Sequence, residues 1–75
     1  MALEAILNRP GVYRIVLEEY PEGVYVLVYD SIEAPRGPRK DYLQDDWNMA
    51  KIAALEDYGI TDDQWKEIPD PRYRG

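Results

Sequence analysis

The sequence predicts a small α+β domain in which an antiparallel β-hairpin packs against one main α-helix. Two runs rich in Val, Ile and Tyr, residues 12–19 and 24–30, flank a Tyr20-Pro21-Glu22-Gly23 turn. A longer segment, residues 41–58, opens on Asp41, stops before Gly59 and repeats apolar residues at helical spacing. The 75 residues suffice for a single domain spanning 1–75. A chain of this size buries only roughly 60% of the surface it exposes when unfolded. Its core is one layer of side chains between two faces, too thin for a deep substrate cavity.

Residues 2–8 are helix-prone, with Leu3, Ile6 and Leu7 at i, i+3 and i+4 and a stop at Asn8-Arg9-Pro10-Gly11. One or two helical turns are expected here, packed loosely at the domain edge. Residues 1–10 and 70–75 are thus expected to be peripheral.

The hairpin comes next. Pro21 suits the second position of a type I turn because its ring fixes φ, and Gly23 supplies a positive φ. A three-residue loop with a Gly bulge follows, pairing Tyr20 with Val24. That register puts Tyr13, Ile15, Leu17, Tyr25, Leu27 and Tyr29 on one side. Val12, Arg14, Val16, Glu18, Val24, Val26 and Val28 share the other. A one-residue slip would exchange the faces of the second strand. Both faces carry large apolar groups, so each calls for some cover. An open sheet edge remains, for a third strand or a second subunit to fill.

Residues 31–40 carry two prolines and a glycine and read as a loop. In the main helix, residues 41–58, Asp41 is the expected N-cap and Gly59 the C′ residue. Leu43, Trp47, Ala50, Ala54 and Tyr58 form the inward stripe. Ile52 and Leu55 fall outside it, which marks a second surface of the helix as a candidate for cover. Residues 60–68 fit two forms. Thr61 and Gln64 make a capping box for a short helix, while Gln64–Ile68 fit a C-terminal strand. Trp47 and Trp65 are expected in the core.

Composition narrows the chemistry. The chain has neither Cys nor His, which removes disulfides, thiolate metal sites and the commonest general base near neutral pH. Ser31 and Thr61 are its only aliphatic hydroxyls, with no histidine to activate them. The acids Asp41, Asp45, Asp46, Asp62 and Asp63 sit where helix starts attract carboxylates, without the Asp-x-Asp-x-Asp spacing of a calcium loop. No enzyme, cofactor or metal site is expected.

The net charge is −6, which argues against general affinity for nucleic acid or anionic membrane. No signal peptide or membrane span is expected, and the chain reads as cytoplasmic. Positive charge gathers at Arg36, Arg39 and Lys40, with Arg72 and Arg74 near the end. The hairpin tyrosines Tyr13, Tyr25 and Tyr29 are core and rim if the helix covers their face, and an exposed contact row if it does not.

The function expected from these features is a small non-catalytic protein-interaction module of adaptor, inhibitor or immunity-like character. Its partner is another protein, met through an acidic surface and a Tyr/Val face. The candidate contact residues are Tyr13, Tyr25, Tyr29, Arg36, Arg39 and Lys40. The alternative is a ligand or nucleic-acid binder built on the basic loop 36–40. A homodimer through the open edge or an exposed face is compatible with either.

Overall fold

The computed structural model describes residues 2–30 and 38–69 of the chain. They form an α+β fold in which one helix lies on one face of a five-stranded antiparallel sheet. The elements are β1 (Ala2–Arg9), β2 (Val12–Tyr20), β3 (Gly23–Tyr29), β4 (Lys40–Gln44), α1 (Trp47–Tyr58) and β5 (Lys66–Ile68), with a 3-10 turn at Asp62–Gln64. The strand order is β4-β3-β2-β1-β5. The expected hairpin is β2–β3, and the expected main helix and C-terminal strand are present. Two strands, β1 and β4, were not anticipated.

The first correction concerns residues 2–8, which form a strand and not helical turns. A helix of this length is marginal in water. In the sheet the same residues pair on both sides, with Leu3 opposite Leu17 on β2 and opposite Glu67 on β5. Ala2 and Ala5 are fully buried, so the segment is interior and not peripheral. Residues 70–75 lie outside the described residues. Between β1 and β2, Leu7 and Asn8 stand opposite Tyr13 in a bulge, because Ile6 pairs with Arg14 and Arg9 with Val12. Asn8 takes a positive φ of 52°, which asparagine tolerates. Pro10 and Gly11 (φ 80°) then fit the central positions of a type II turn.

The second correction is the hairpin register. Tyr20 pairs with Gly23, not Val24, so Pro21 and Glu22 alone form the loop. The faces of β3 are therefore exchanged. Ile15 lies beside Val28, and Leu17 beside Val26. These side chains, with Ala5, Val24, Ala50, Ala54 and Ile60, form the main core under α1. Tyr25, Leu27 and Tyr29 join Arg14, Val16 and Glu18 on the opposite face. The burial of three valines beneath the helix decides this register. Exposing a fully buried Val costs on the order of 1.5–3 kcal/mol.

The third correction is the start of α1. Residues 41–44 belong to β4, where Tyr42 pairs with Val26 and Gln44 with Val24. The N-cap is Asp46, in extended conformation, and its carboxylate accepts the Met49 N–H at 2.9 Å. Asp41 is a strand residue. Leu43 leaves the expected inward stripe and is 44% exposed on the far side of the sheet. Trp47, Ala50, Ala54 and Tyr58 do face the core, two of them as alanines that let the helix approach closely. Gly59 (φ 71°) ends the helix, its N–H donating to the Leu55 carbonyl. Ile60, 1% exposed, then turns into the core beside the helix end.

The two readings of residues 60–68 are both realised. Gln64 Oε1 accepts the Thr61 N–H at 2.8 Å, closing the short turn, and Lys66–Ile68 then pair with Glu4–Ala2. Trp65 packs against the main core, as expected.

Candidate functional site

The six residues nominated from sequence do not converge. Tyr25 and Tyr29 lie on the sheet face away from the helix, whereas strand alternation puts Tyr13 on the helix side. Tyr29 is 8% exposed and belongs to a second, smaller apolar cluster with Ala2 and Val16, bordered by Leu27 and Ile68. The Arg14 guanidinium stacks 4.3 Å from the centre of its ring and also stands 3.7 Å from Glu4. The row of tyrosines is therefore half structural. Val24, Val26 and Val28 are core, so the valine part of the expected contact face is withdrawn.

The basic stretch is divided. Arg36 lies outside the described residues. Arg39 is exposed at the entry to β4, and its Nη1 donates to the Gly11 carbonyl at 3.1 Å, tying this strand to the β1–β2 turn. Lys40 opens β4 with its Nζ 5.7 Å from the centre of the Tyr42 ring.

Two surfaces emerge instead. The first is the outer side of α1. Met49, Ile52 and Leu55 are 43%, 40% and 49% exposed, although each is a large apolar residue. At ~100° per residue they fall within one stripe, set opposite Ala50 and Ala54. Beside them runs an open groove of about 360 Å³, lined by Ile52, Leu55 and Ile60, with Lys51, Thr61 and Asp62 at its rim. The segment is rich in acids. Asp45, Asp46, Glu56, Asp57, Asp62 and Asp63 stand against Lys51 alone between residues 45 and 63. Most of the net charge of −6 is thus concentrated on this one element and its flanks.

The second surface is on the opposite side of the sheet, at its β3–β4 end. Tyr20 and Tyr25 meet edge to face, with centroids 5.0 Å apart and planes at 86°. Each hydroxyl is held by a glutamate. Tyr20 donates to Glu18 at 2.6 Å, and Tyr25 to Glu22 at 3.4 Å. Glu18 is 2% exposed. Tyr20, Tyr25 and Leu27 line an open hollow of about 270 Å³ with the carboxylates of Glu22 and Asp41. Partial burial, then the Glu22 charge and hydrogen bond and the Asp41 charge, push the Tyr25 hydroxyl above its ordinary pKa.

The sequence carried a signal for the first surface, since Ile52 and Leu55 fall off the inward stripe. Tyr20, Glu22 and Asp41 were missed because the wrong register and the wrong helix start dispersed them. Among the described residues no group of three or more acids converges as a metal site, and no helix is long and apolar enough to cross a membrane.

A scan against protein-family models found no match, and neither did searches of curated proteins and of solved structures.

Proposed function

We propose that this chain is a small non-catalytic protein-interaction module, cytoplasmic in location, that docks a basic partner protein on the outer face of α1. The observation that supports this most is the exposed Met49-Ile52-Leu55 stripe on an element whose sequence and flanks are rich in acids. An outer helix face of a one-helix domain is ordinarily polar. Three large apolar residues there lower solubility unless a contact uses them. The acidic charge of the segment favours a partner with an apolar anchor flanked by Lys and Arg. Negative potential around the groove speeds encounter with such a surface, and the apolar anchors then set the lifetime of the complex.

The test is capture of a partner by the intact protein and by Ile52→Asp and Leu55→Asp variants. Both positions are exposed, so the fold tolerates the change, which circular dichroism checks. A central anchor contributes about 2 kcal/mol or more, so affinity should fall about 30-fold in each variant. It should also weaken as salt is raised. A partner held equally by wild type and both variants would overturn the assignment of the site. Self-association lost in the same variants would show that the face binds a second copy instead.

A further inference from the structure

We infer that the segment Asp70-Pro71-Arg72-Tyr73-Arg74-Gly75 folds back over the sheet face opposite α1 and sets the Arg72 guanidinium against the Glu18 carboxylate. That face is separate from the outer side of α1. Ala2 and Val16 are 0% exposed and Glu18 is 2% exposed, all three on this face. Side chains at the centre of an uncovered sheet face stay in contact with water. Here α1 covers the other face, and among the described residues no element crosses this one. Glu18 sharpens the requirement. A glutamate is almost never fully buried unless it is paired. The Tyr20 hydroxyl supplies one donor at 2.6 Å, but no charge. Arg14, on the same face of β2, is taken up by Glu4 and the Tyr29 ring. Glu18, Tyr20 and Tyr29 are each engaged by more than these contacts.

The register decides which segment reaches this carboxylate. Ile68, Ala2, Glu18 and Tyr25 stand side by side across β5, β1, β2 and β3. The chain leaves β5 at Ile68, whose side chain borders the cluster of Ala2 and Val16. Two strand spacings of about 4.8 Å separate Ile68 from Glu18, about 10 Å in all. An extended chain covers about 3.3 Å per residue, so Arg72, four residues on, reaches β2 with its side chain to spare. Pro69 and Pro71 favour an extended path. Guanidinium is the cation best suited to a buried carboxylate, which its N–H fork meets with two bonds. The internal stretch 31–37 sets out from the other end of β3 and returns at Arg39, whose N–H donates to the Val28 carbonyl. Tyr29 lies four residues along β3 from Tyr25, about 13 Å from the row that holds Glu18.

The experiment is NMR on the isotope-labelled full chain, joined to urea unfolding of full-length variants. Nuclear Overhauser contacts are expected from residues 70–75 to the Ala2 and Val16 methyl groups. Arg72→Ala should raise the unfolding equilibrium constant about tenfold in the wild-type chain and less than about threefold in a chain that already carries Glu18→Gln, because paired residues couple and distant ones add. Arg36→Ala should show no such coupling to Glu18→Gln. Ile52→Asp should leave the contacts in place, which separates failure here from failure of the helix surface. Contacts to Ala2 and Val16 from residues 31–37, or from a second copy in an isotope-filtered mixture, would overturn the inference. So would a lack of contacts from residues 70–75, or an equal effect of Arg72→Ala with and without Glu18→Gln. The wild-type contacts need no variant, so a Glu18→Gln chain that fails to fold leaves that test intact.

Discussion

Replacing Gly23 by alanine should be among the most damaging single-methyl additions the chain can suffer. Gly23 closes the β2–β3 loop with φ +150°, a region L residues rarely adopt. Holding a side chain there costs on the order of 1–3 kcal/mol. The new Cβ would also stand 2.3 Å from the Gln44 backbone carbonyl oxygen and 3.2 Å from Leu43 Cδ1. The nearest obstacle is backbone, so relief requires the end of β4 to move away from β3. We expect a loss of about 3 kcal/mol, against a total stability of roughly 4–11 kcal/mol for a domain of this length. Escape to the alternative three-residue loop is closed, because it would expose Val24, Val26 and Val28 at on the order of 1.5–3 kcal/mol each. Gly11→Ala is the internal control. There φ is +80° and the nearest atom is the far end of the Arg39 side chain at 3.5 Å, so only a backbone cost of about 1–2 kcal/mol applies. Urea unfolding followed by tryptophan fluorescence reads both variants. A Gly23→Ala protein within about 0.5 kcal/mol of wild type, or more stable than Gly11→Ala, would refute the register on which the reasoning rests.

Further predictions bear on the other corrected elements. Asp46→Ala should cost about 1 kcal/mol in urea unfolding through loss of the N-cap bond to Met49, while Asp46→Asn retains most of it and Asp41→Ala shows no capping loss. Leu17→Ala should cost about 2–5 kcal/mol, whereas Leu43→Ala, at an exposed position, should stay within about 0.5 kcal/mol. Tyr42 is held above the ordinary tyrosine value of 10, first by burial and then by its hydrogen bond to Asp57 at 3.2 Å. The folded state keeps this proton longer than the unfolded state, so the stabilisation is whole below pH 10 and is lost as pH climbs beyond it. Tyrosinate absorbance should show a late-titrating tyrosine that is absent in Tyr42→Phe, and that variant should lose less stability than wild type in the same alkaline range.

What was legible in the sequence was the part written in local chemistry. The strand character of residues 12–19 and 24–30 is carried by β-branched and aromatic residues, and the C′ glycine and the Thr61/Gln64 box act over three or four residues. What was hidden depends on distant partners. Ala2–Arg9 has helical spacing, yet β2 and β5 supply hydrogen bonds on both its edges that a short helix could not match. Lys40–Gln44 contains no β-branched residue at all, and becomes a strand because the edge of β3 stands ready to pair with it. The helix start was hidden with it, because Asp41 lies in the strand and the carboxylate of Asp46 is the one that caps α1. The contact residues on α1 were partly visible, since helical geometry assigns Ile52 and Leu55 to the outer side. The tyrosine hollow was not, because its residues come from β2, the loop, β3 and β4, and meet only in the observed register.

That register decides which face of the hairpin lies under the helix. A hairpin with apolar groups on each face can place either set beneath a helix, and volume decides which. Valines beside Ala50 and Ala54 allow the helix to lie close, whereas the tyrosine set would hold it away and bury hydroxyls that need partners. Once the valines are inside, Tyr20 and Tyr25 must face outward on the other side, where Glu18 and Glu22 satisfy their hydroxyls. Ending β4 at Gln44 also delays the helix, so that Met49, Ile52 and Leu55 fall on the side away from the sheet. One residue more in the Pro21-Glu22 loop would put tyrosines against the helix and disperse the hollow. A loop-insertion variant should therefore unfold at lower urea than wild type, because Ala50 and Ala54 leave the tyrosine set no room beneath the helix.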